Sequence, residues 1–122
     1  MTVNFTCSWP GSDLSPNSRI HWAVRAKATK SLRNEAMLLA ITHTSPEWRE
    51  RVRQAGRLAV KLKFVPPSRR GFDADNRLAS FKGGLDGISD AIGLNDRHFK
   101  VEFELSQEPI KGGGVMVTLE PA

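Results

Sequence analysis

Leu78, Phe81, Leu85, Ile88 and Ile92 recur at 3-4-3-4 spacing, and that rhythm lines one face of an α-helix. A helix with one apolar face needs something to cover it, and the chain supplies strands on both sides. Before it, "LAVKLKFV" (58–65) sets Val60, Leu62 and Phe64 against Lys61 and Lys63, the alternation of a half-buried strand with a basic outer face. Pro66-Pro67 ends that strand. After Gly93, "HFKVEFEL" alternates Phe99, Val101, Phe103 and Leu105. Helical period between two strand periods constrains the chain to an α+β arrangement, a mixed or antiparallel sheet packed with helices.

The remaining segments fit that frame. "VNFTCSW" (3–9) reads as a first strand stopped by Pro10-Gly11. From about Arg19 to His43 the residues are good helix formers, with Leu32, Ala36, Leu39 and His43 at helical spacing. Ser45-Pro46-Glu47 has the N-cap, first-position proline and early acid of a helix start, and that helix should end near Gly56. "VMVTLE", beyond Lys111 and three glycines, reads as a last strand paired antiparallel with the one before it. The order is β, α, short α, β, α, β, β, in a single domain over residues 1–122. No apolar run reaches the length of a membrane span and no basic-then-apolar leader opens the chain. Cys7 is the lone cysteine, which excludes an intrachain disulfide and points to a reducing cytoplasm.

Charge is distributed unevenly. Residues 1–72 carry 13 Lys/Arg and 4 Asp/Glu, a net of +9; residues 73–122 carry 5 and 9, a net of −4, giving the overall +5. A basic half implies a polyanionic partner. The acidic half implies a cation site, because carboxylates at phosphate contacts would only repel the backbone.

The acids are concentrated in "RRGFDADNRLASFKGGLDGISDAIGLND" (69–96). In an extended entry to the helix, Asp73 and Asp75 project to the same side and can address one point. Asp75 or Asn76 also suits the N-cap. If one helix continues from there, Lys82 and Asp86 fall within about 20° of Asp75 around it, and they also make an i, i+4 surface pair. Asp96 follows in a loop. Asp73, Asp75 and Asp96 together suit an oxygen-rich Mg²⁺ site, since that ion takes a few carboxylates and keeps waters, and such an ion can activate water for phosphodiester hydrolysis.

"DADN", a helix carrying a lysine and "LDGI", then "GLND" before an aromatic-alternating strand resembles the RusA-type Holliday junction endonucleases, phage-borne members above all; Trp9-Pro10 after the first strand fits too. The likeness is most specific over 69–105. It implies a homodimer that binds four-way DNA junctions and nicks them symmetrically with Mg²⁺, or Mn²⁺ as a substitute. Carried over, the acidic pair falls on Asp73 and Asp75 and the later aspartate on Asp96. Two positions depart from the family: the loop reads Asn95-Asp96 rather than two aspartates, and the lysine expected one turn past the second aspartate is Ala79. Lys82 stands one further turn along and is read as that lysine displaced; otherwise it is Asp86's surface partner.

The expected function is therefore a Mg²⁺-dependent endonuclease of branched DNA, with Asp73, Asp75 and Asp96 holding the metal and Lys82 acting at the phosphate. Lys61, Lys63, Arg69 and Arg70 would hold the DNA backbone. No membrane and no small-molecule substrate is expected. The competing reading is a non-catalytic junction- or DNA-binding protein, favoured by Asn95 and Ala79. His21, His43 and His98 lack metal spacing. Trp9, Trp22 and Trp48 suit core or rim packing better than base stacking, the glycine run suits a hairpin tip better than a phosphate loop, and Cys7 suits an inert buried site. One distance stands out: a straight helix from Asn76 to Ile92 is roughly 25 Å long, too long to bring Asp75 and Asp96 to one ion. Either it breaks at Gly83-Gly84 or, the favoured arrangement, two such helices cross at those glycines on a two-fold axis and share their acids.

Overall fold

The computed structural model describes residues 2–15, 19, 21–69, 71 and 74–122, without the side chains of Ser12 and Ala74. The elements are β1 (Val3–Cys7), α1 (Trp22–His43), α2 (Pro46–Ala55), β2 (Leu58–Val65), α3 (Ala74–Ser80), α4 (Lys82–Ile92), β3 (Phe99–Leu105) and β4 (Gly114–Pro121), with short 3-10 helices at Ser12–Leu14 and Asp96–His98. They form one small α+β domain in which a mixed four-stranded sheet, ordered β1-β4-β2-β3, packs against helices.

The local signals for α2 act as expected. The Ser45 hydroxyl accepts a hydrogen bond from the Trp48 amide at 3.0 Å, Pro46 opens the helix, and Gly56 closes it in the left-handed region at φ 74°. The last two strands, however, do not pair with each other. β4 lies between β1 and β2, antiparallel to both, and β3 runs parallel to β2 on the far edge. Two features explain the correction. The α3–α4 crossover after β2 returns β3 in the parallel sense, as helical crossovers do. The loop at 106–113 is also longer than a tight hairpin turn, so the chain can step across β2 before pairing.

Alternation divides the sheet into two unlike faces. Leu58, Val60, Leu62 and Phe64 of β2 and Val115, Val117 and Leu119 of β4 are buried in one core with Leu32, Ala36, Trp48, Val52, Ile88 and Ile92 from the helices. Lys61 and Lys63 point the other way and are exposed. In register with them on β3 stand Glu102 and Glu104, so that outer face is mixed in charge rather than basic. The alternating strand made the lysines legible; their acidic neighbours depend on a parallel pairing that the local pattern does not reveal.

The expected long helix is interrupted at Phe81, which has φ −93° and ψ 6°. The cause is packing. The Phe81 ring is fully buried, sits edge-on to Phe64 at 6.1 Å between centroids, and lies over the bare Cα of Gly84, where a methyl would collide with it. The glycines of α4 thus serve contacts inside the chain. A Cβ on Gly83 would stand 3.1 Å from the Thr29 side chain and carbonyl oxygen, and one on Gly87 would run into the Arg33 carbonyl oxygen. Gly83 and Gly87, one turn apart, form a seam that lets α1 approach the α4 backbone. The face expected at a two-fold crossing is therefore occupied, at Gly83, by α1 of the same chain.

Candidate functional site

The interruption at Phe81 decides where the charged residues lie. α3 already includes Ala74, so Asp75 occupies its first turn, exposed and helical rather than extended, and neither Asp75 nor Asn76 is the N-cap. Because α3 and α4 are separate helices, the phase that aligned Asp75 with Lys82 and Asp86 along one cylinder does not hold. Asp73 and Arg70 lie outside the described residues.

Lys82 instead opens α4 and becomes the centre of an ionic cluster. Its Nζ donates to Asp86 Oδ1 at 3.0 Å, the i, i+4 pair expected on the helix surface, and in addition to Asp96 Oδ2. Asp96 reaches it because α4 stops at Gly93, which adopts φ 81° and returns its amide to the Ser89 carbonyl. The chain then folds back beside the helix, and the Asn95 side chain accepts from the Arg97 amide at 3.0 Å to cap the 3-10 helix that carries Asp96. Asn95 thus serves as the cap of the segment that presents Asp96. Asp86, which the sequence aligns with Lys82 either as part of a polar stripe from Asp75 or as its surface partner, shares the Lys82 ammonium with Asp96.

The electrostatics follow from these contacts. The hydrogen bond to Asp96 holds the Lys82 ammonium above the usual lysine range, with burial opposing and Asp86 reinforcing. The same bond holds the Asp96 carboxyl below the ordinary carboxylate range. A lysine in the first turn of a helix opposes the helix dipole, and a partly exposed ion pair contributes only about 0–1 kcal/mol. Stability alone is therefore a weak reason for a lysine at this place.

The other expected site residues are more scattered. Lys61 and Lys63 lie on the sheet face turned away from the helices, so the sheet separates them from Lys82. Arg69 sits at a groove of about 300 Å³ bordered by Pro66, Leu105 and Gln107 and is loosely paired with Glu108 at 3.8 Å, both side chains well exposed. Arg77, two residues past Asp75, is buried, donating to the Pro10 carbonyl at 3.0 Å and covering the Trp9 ring at 5.5 Å; it ties α3 to the segment after β1. Trp48 is buried and Trp9 half-buried, whereas Trp22 is 74% exposed. Cys7 is buried, and burial, aided by the Glu35 charge, pushes its thiol up to about 12.

Two carboxylates, Asp86 and Asp96, converge on one cationic point. Their oxygens are the hard donors that Mg²⁺ takes, with the Lys82 ammonium standing between them. Among the described residues no group of three or more His, Cys, Asp or Glu donors gathers there. No family model matches the sequence. An "Uncharacterized protein" of Xylella fastidiosa is 39% identical over 117 residues, covering 95% of this chain and 74% of that protein.

Proposed function

We propose, for a chain that belongs to one family with the Xylella fastidiosa protein, that it is a RusA-like, Mg²⁺-dependent, structure-selective endodeoxyribonuclease acting on branched DNA as a homodimer. The observation that carries this reading is the Lys82 ammonium held by Asp86 and Asp96, directly after the short helix whose first turn contains Asp75.

In this reading Asp73, Asp75 and Asp96 hold the ion, and Asp86 adds an oxygen beside Asp96. When bound, Mg²⁺ lowers the pKa of a water and neutralises charge on the leaving oxygen. The protein's own residues supply position and sign of charge. Asp86 and Asp96 fix the Lys82 ammonium at the acidic point, so a phosphate oxygen arriving there meets a positive group already in place. The reaction is hydrolysis: water oxygen bonds to phosphorus, one P–O ester bond breaks, and the departing oxygen takes a proton. The surplus of cations in residues 1–72 offsets the repulsion between the acids and the DNA backbone.

The test is nicking of a synthetic four-way junction with and without Mg²⁺. The parent protein is expected to nick in Mg²⁺ and to bind without nicking in EDTA. Asp75→Asn should bind as well as the parent or better, since a charge that repels phosphate is gone, while cleavage collapses. Junction binding with no nicking in either Mg²⁺ or Mn²⁺ would return the protein to the non-catalytic DNA-binding reading.

A further inference from the structure

Trp22 departs from what the fold explains. It is the first residue of α1, stands 74% exposed and is tilted against His21 at 5.5 Å between ring centroids. With Arg25, Ala26, Thr29, Lys30 and Arg33 it lines a groove of about 410 Å³ along one side of the helix. Between Leu14 and Asn34 the sequence has five cations (Arg19, Arg25, Lys27, Lys30 and Arg33) and no acid. Arg33 is paired with Asp90 at 2.6 Å and Arg25 donates to the Ser15 carbonyl; Lys27 and Lys30 are exposed.

We infer that this groove receives one unpaired nucleic-acid strand, with a base stacked on Trp22 and a phosphate at Lys30, which lines it. A bare indole beside cations is the pairing that single strands require, because any base offers a π-face and the backbone needs counter-charge. A paired duplex shows no base face except at an end or a branch. The choice of nucleic acid as the polyanion rests on the nuclease reading, and it adds where an unstacked branch-point base would go. The position agrees. Gly83 of α4 meets Thr29 and Gly87 meets Arg33 and Ala36, so α1 and α4 run the same way. The residues of α1 before Thr29 then overhang the start of α4 by about 10 Å, at the end where Lys82 stands. A second copy of the chain is a poor occupant, since an isologous contact would set the same cations against each other.

The experiment measures equilibrium binding of a fluorescently labelled oligo-dT strand in EDTA at fixed salt, so cleavage plays no part. Trp22→Leu, which keeps apolar bulk without a π-face, should weaken binding about tenfold or more, and Trp22→Phe should recover most of it. Lys30→Ala should flatten the dependence of log affinity on log salt by about 0.7. Tryptophan emission of the parent should be quenched by the strand, and that quenching should vanish in Trp22→Phe. Equal affinity of parent and Trp22→Leu would overturn the inference. So would a change of sedimentation state in Trp22→Leu with strand affinity intact, which would assign the groove to a second copy. A protein that fails to nick junctions but binds oligo-dT through Trp22 would lose the nuclease reading and keep this one.

Discussion

The two sides of α4 follow opposite rules. One side has no side chains at Gly83 and Gly87 and is pressed against the backbone of α1; the other carries Lys82 and Asp86, which hold Asp96 at the surface. On the glycine side one added methyl meets main-chain atoms that cannot move cheaply. On the ionic side whole groups can be exchanged with little cost to folding, because exposed ion pairs contribute at most about 1 kcal/mol. The contrast separates structure from chemistry within a single helix of 11 residues. A variant on the ionic side reads function with the fold intact, and a variant on the glycine side reads the fold.

The largest expected effect is on the ionic side. Asp96→Asn should reduce Mg²⁺-dependent junction nicking by about 10³-fold, on the scale of losing a group that stabilises the transition state, with thermal stability and junction affinity close to those of the parent. A variant nicking at the parental rate would remove Asp96 from the site. Lys82→Ala should slow nicking by about 10²-fold. Its stability loss should stay near 0.5 kcal/mol, as for an exposed i, i+4 pair. Equal nicking by Lys82→Ala and parent would leave Lys82 as a surface ion-pair partner and nothing more.

The glycine side should show the reverse split. Gly87→Ala would gain helix propensity worth about 1 kcal/mol, yet its methyl collides with the Arg33 carbonyl oxygen and stands 3.0 Å from the Ala36 Cβ. Overpacking of this kind costs about 1–3 kcal/mol, so a net loss of up to about 2 kcal/mol in urea unfolding is expected. A rise in stability would mean that α1 and α4 are less closely seated than the seam indicates. The same contact bears on how the acids come together. The shared-site arrangement put Gly83 and Gly84 at a two-fold axis; Gly83 lies against Thr29 and Gly84 beneath Phe81 of the same chain.

Much of this was legible in sequence wherever the signal is local. The alternation of β2, the Ser45 cap, the Gly56 stop and the apolar stripe from Leu78 to Ile92 each act over a few residues, and each appears close to where the pattern puts it. What could not be read depends on contacts far apart in the chain. The interruption falls at Phe81, three residues before the second glycine, because a buried ring needs the space above Gly84, and the stripe itself continues unbroken across the interruption. The insertion of β4 between β1 and β2 leaves no mark on β3 or β4, only a connection too long for a tight hairpin. For the site, the Lys82–Asp86 pair was visible as i, i+4 spacing. The return of Asp96 was not, since it depends on the turn at Gly93 and the cap at Asn95. Trp22 was expected to pack, and helix period alone could not show that α1 overhangs its neighbour there.

The smallest effect comes from pH, and it tests whether the ionic side is held together as described. Asp96 has its carboxyl lowered, chiefly by the Lys82 hydrogen bond. Its contribution to stability is therefore present above the unfolded aspartate value of about 3.9 and is lost as pH falls through the lower folded value. Lys82 is raised, chiefly by Asp96, so its contribution is present below about 10.4 and is lost as pH rises through the higher folded value. The cluster then stabilises between roughly pH 4 and 10. Asp90 and Glu50 are lowered too, by Arg33 and Arg53, and would also weaken the fold in acid. Comparing the parent with Asp96→Asn cancels those pairs, which both proteins keep. At pH 7 and low salt the parent should be more stable by a few tenths to about 1 kcal/mol. That difference should shrink to zero as the pH is taken below the folded value of Asp96, and added salt should reduce it at pH 7. A difference that stays constant from pH 7 to pH 2 would mean that Asp96 does not rely on the Lys82 charge. The ionic side of α4 would then be two neighbouring features rather than one cluster.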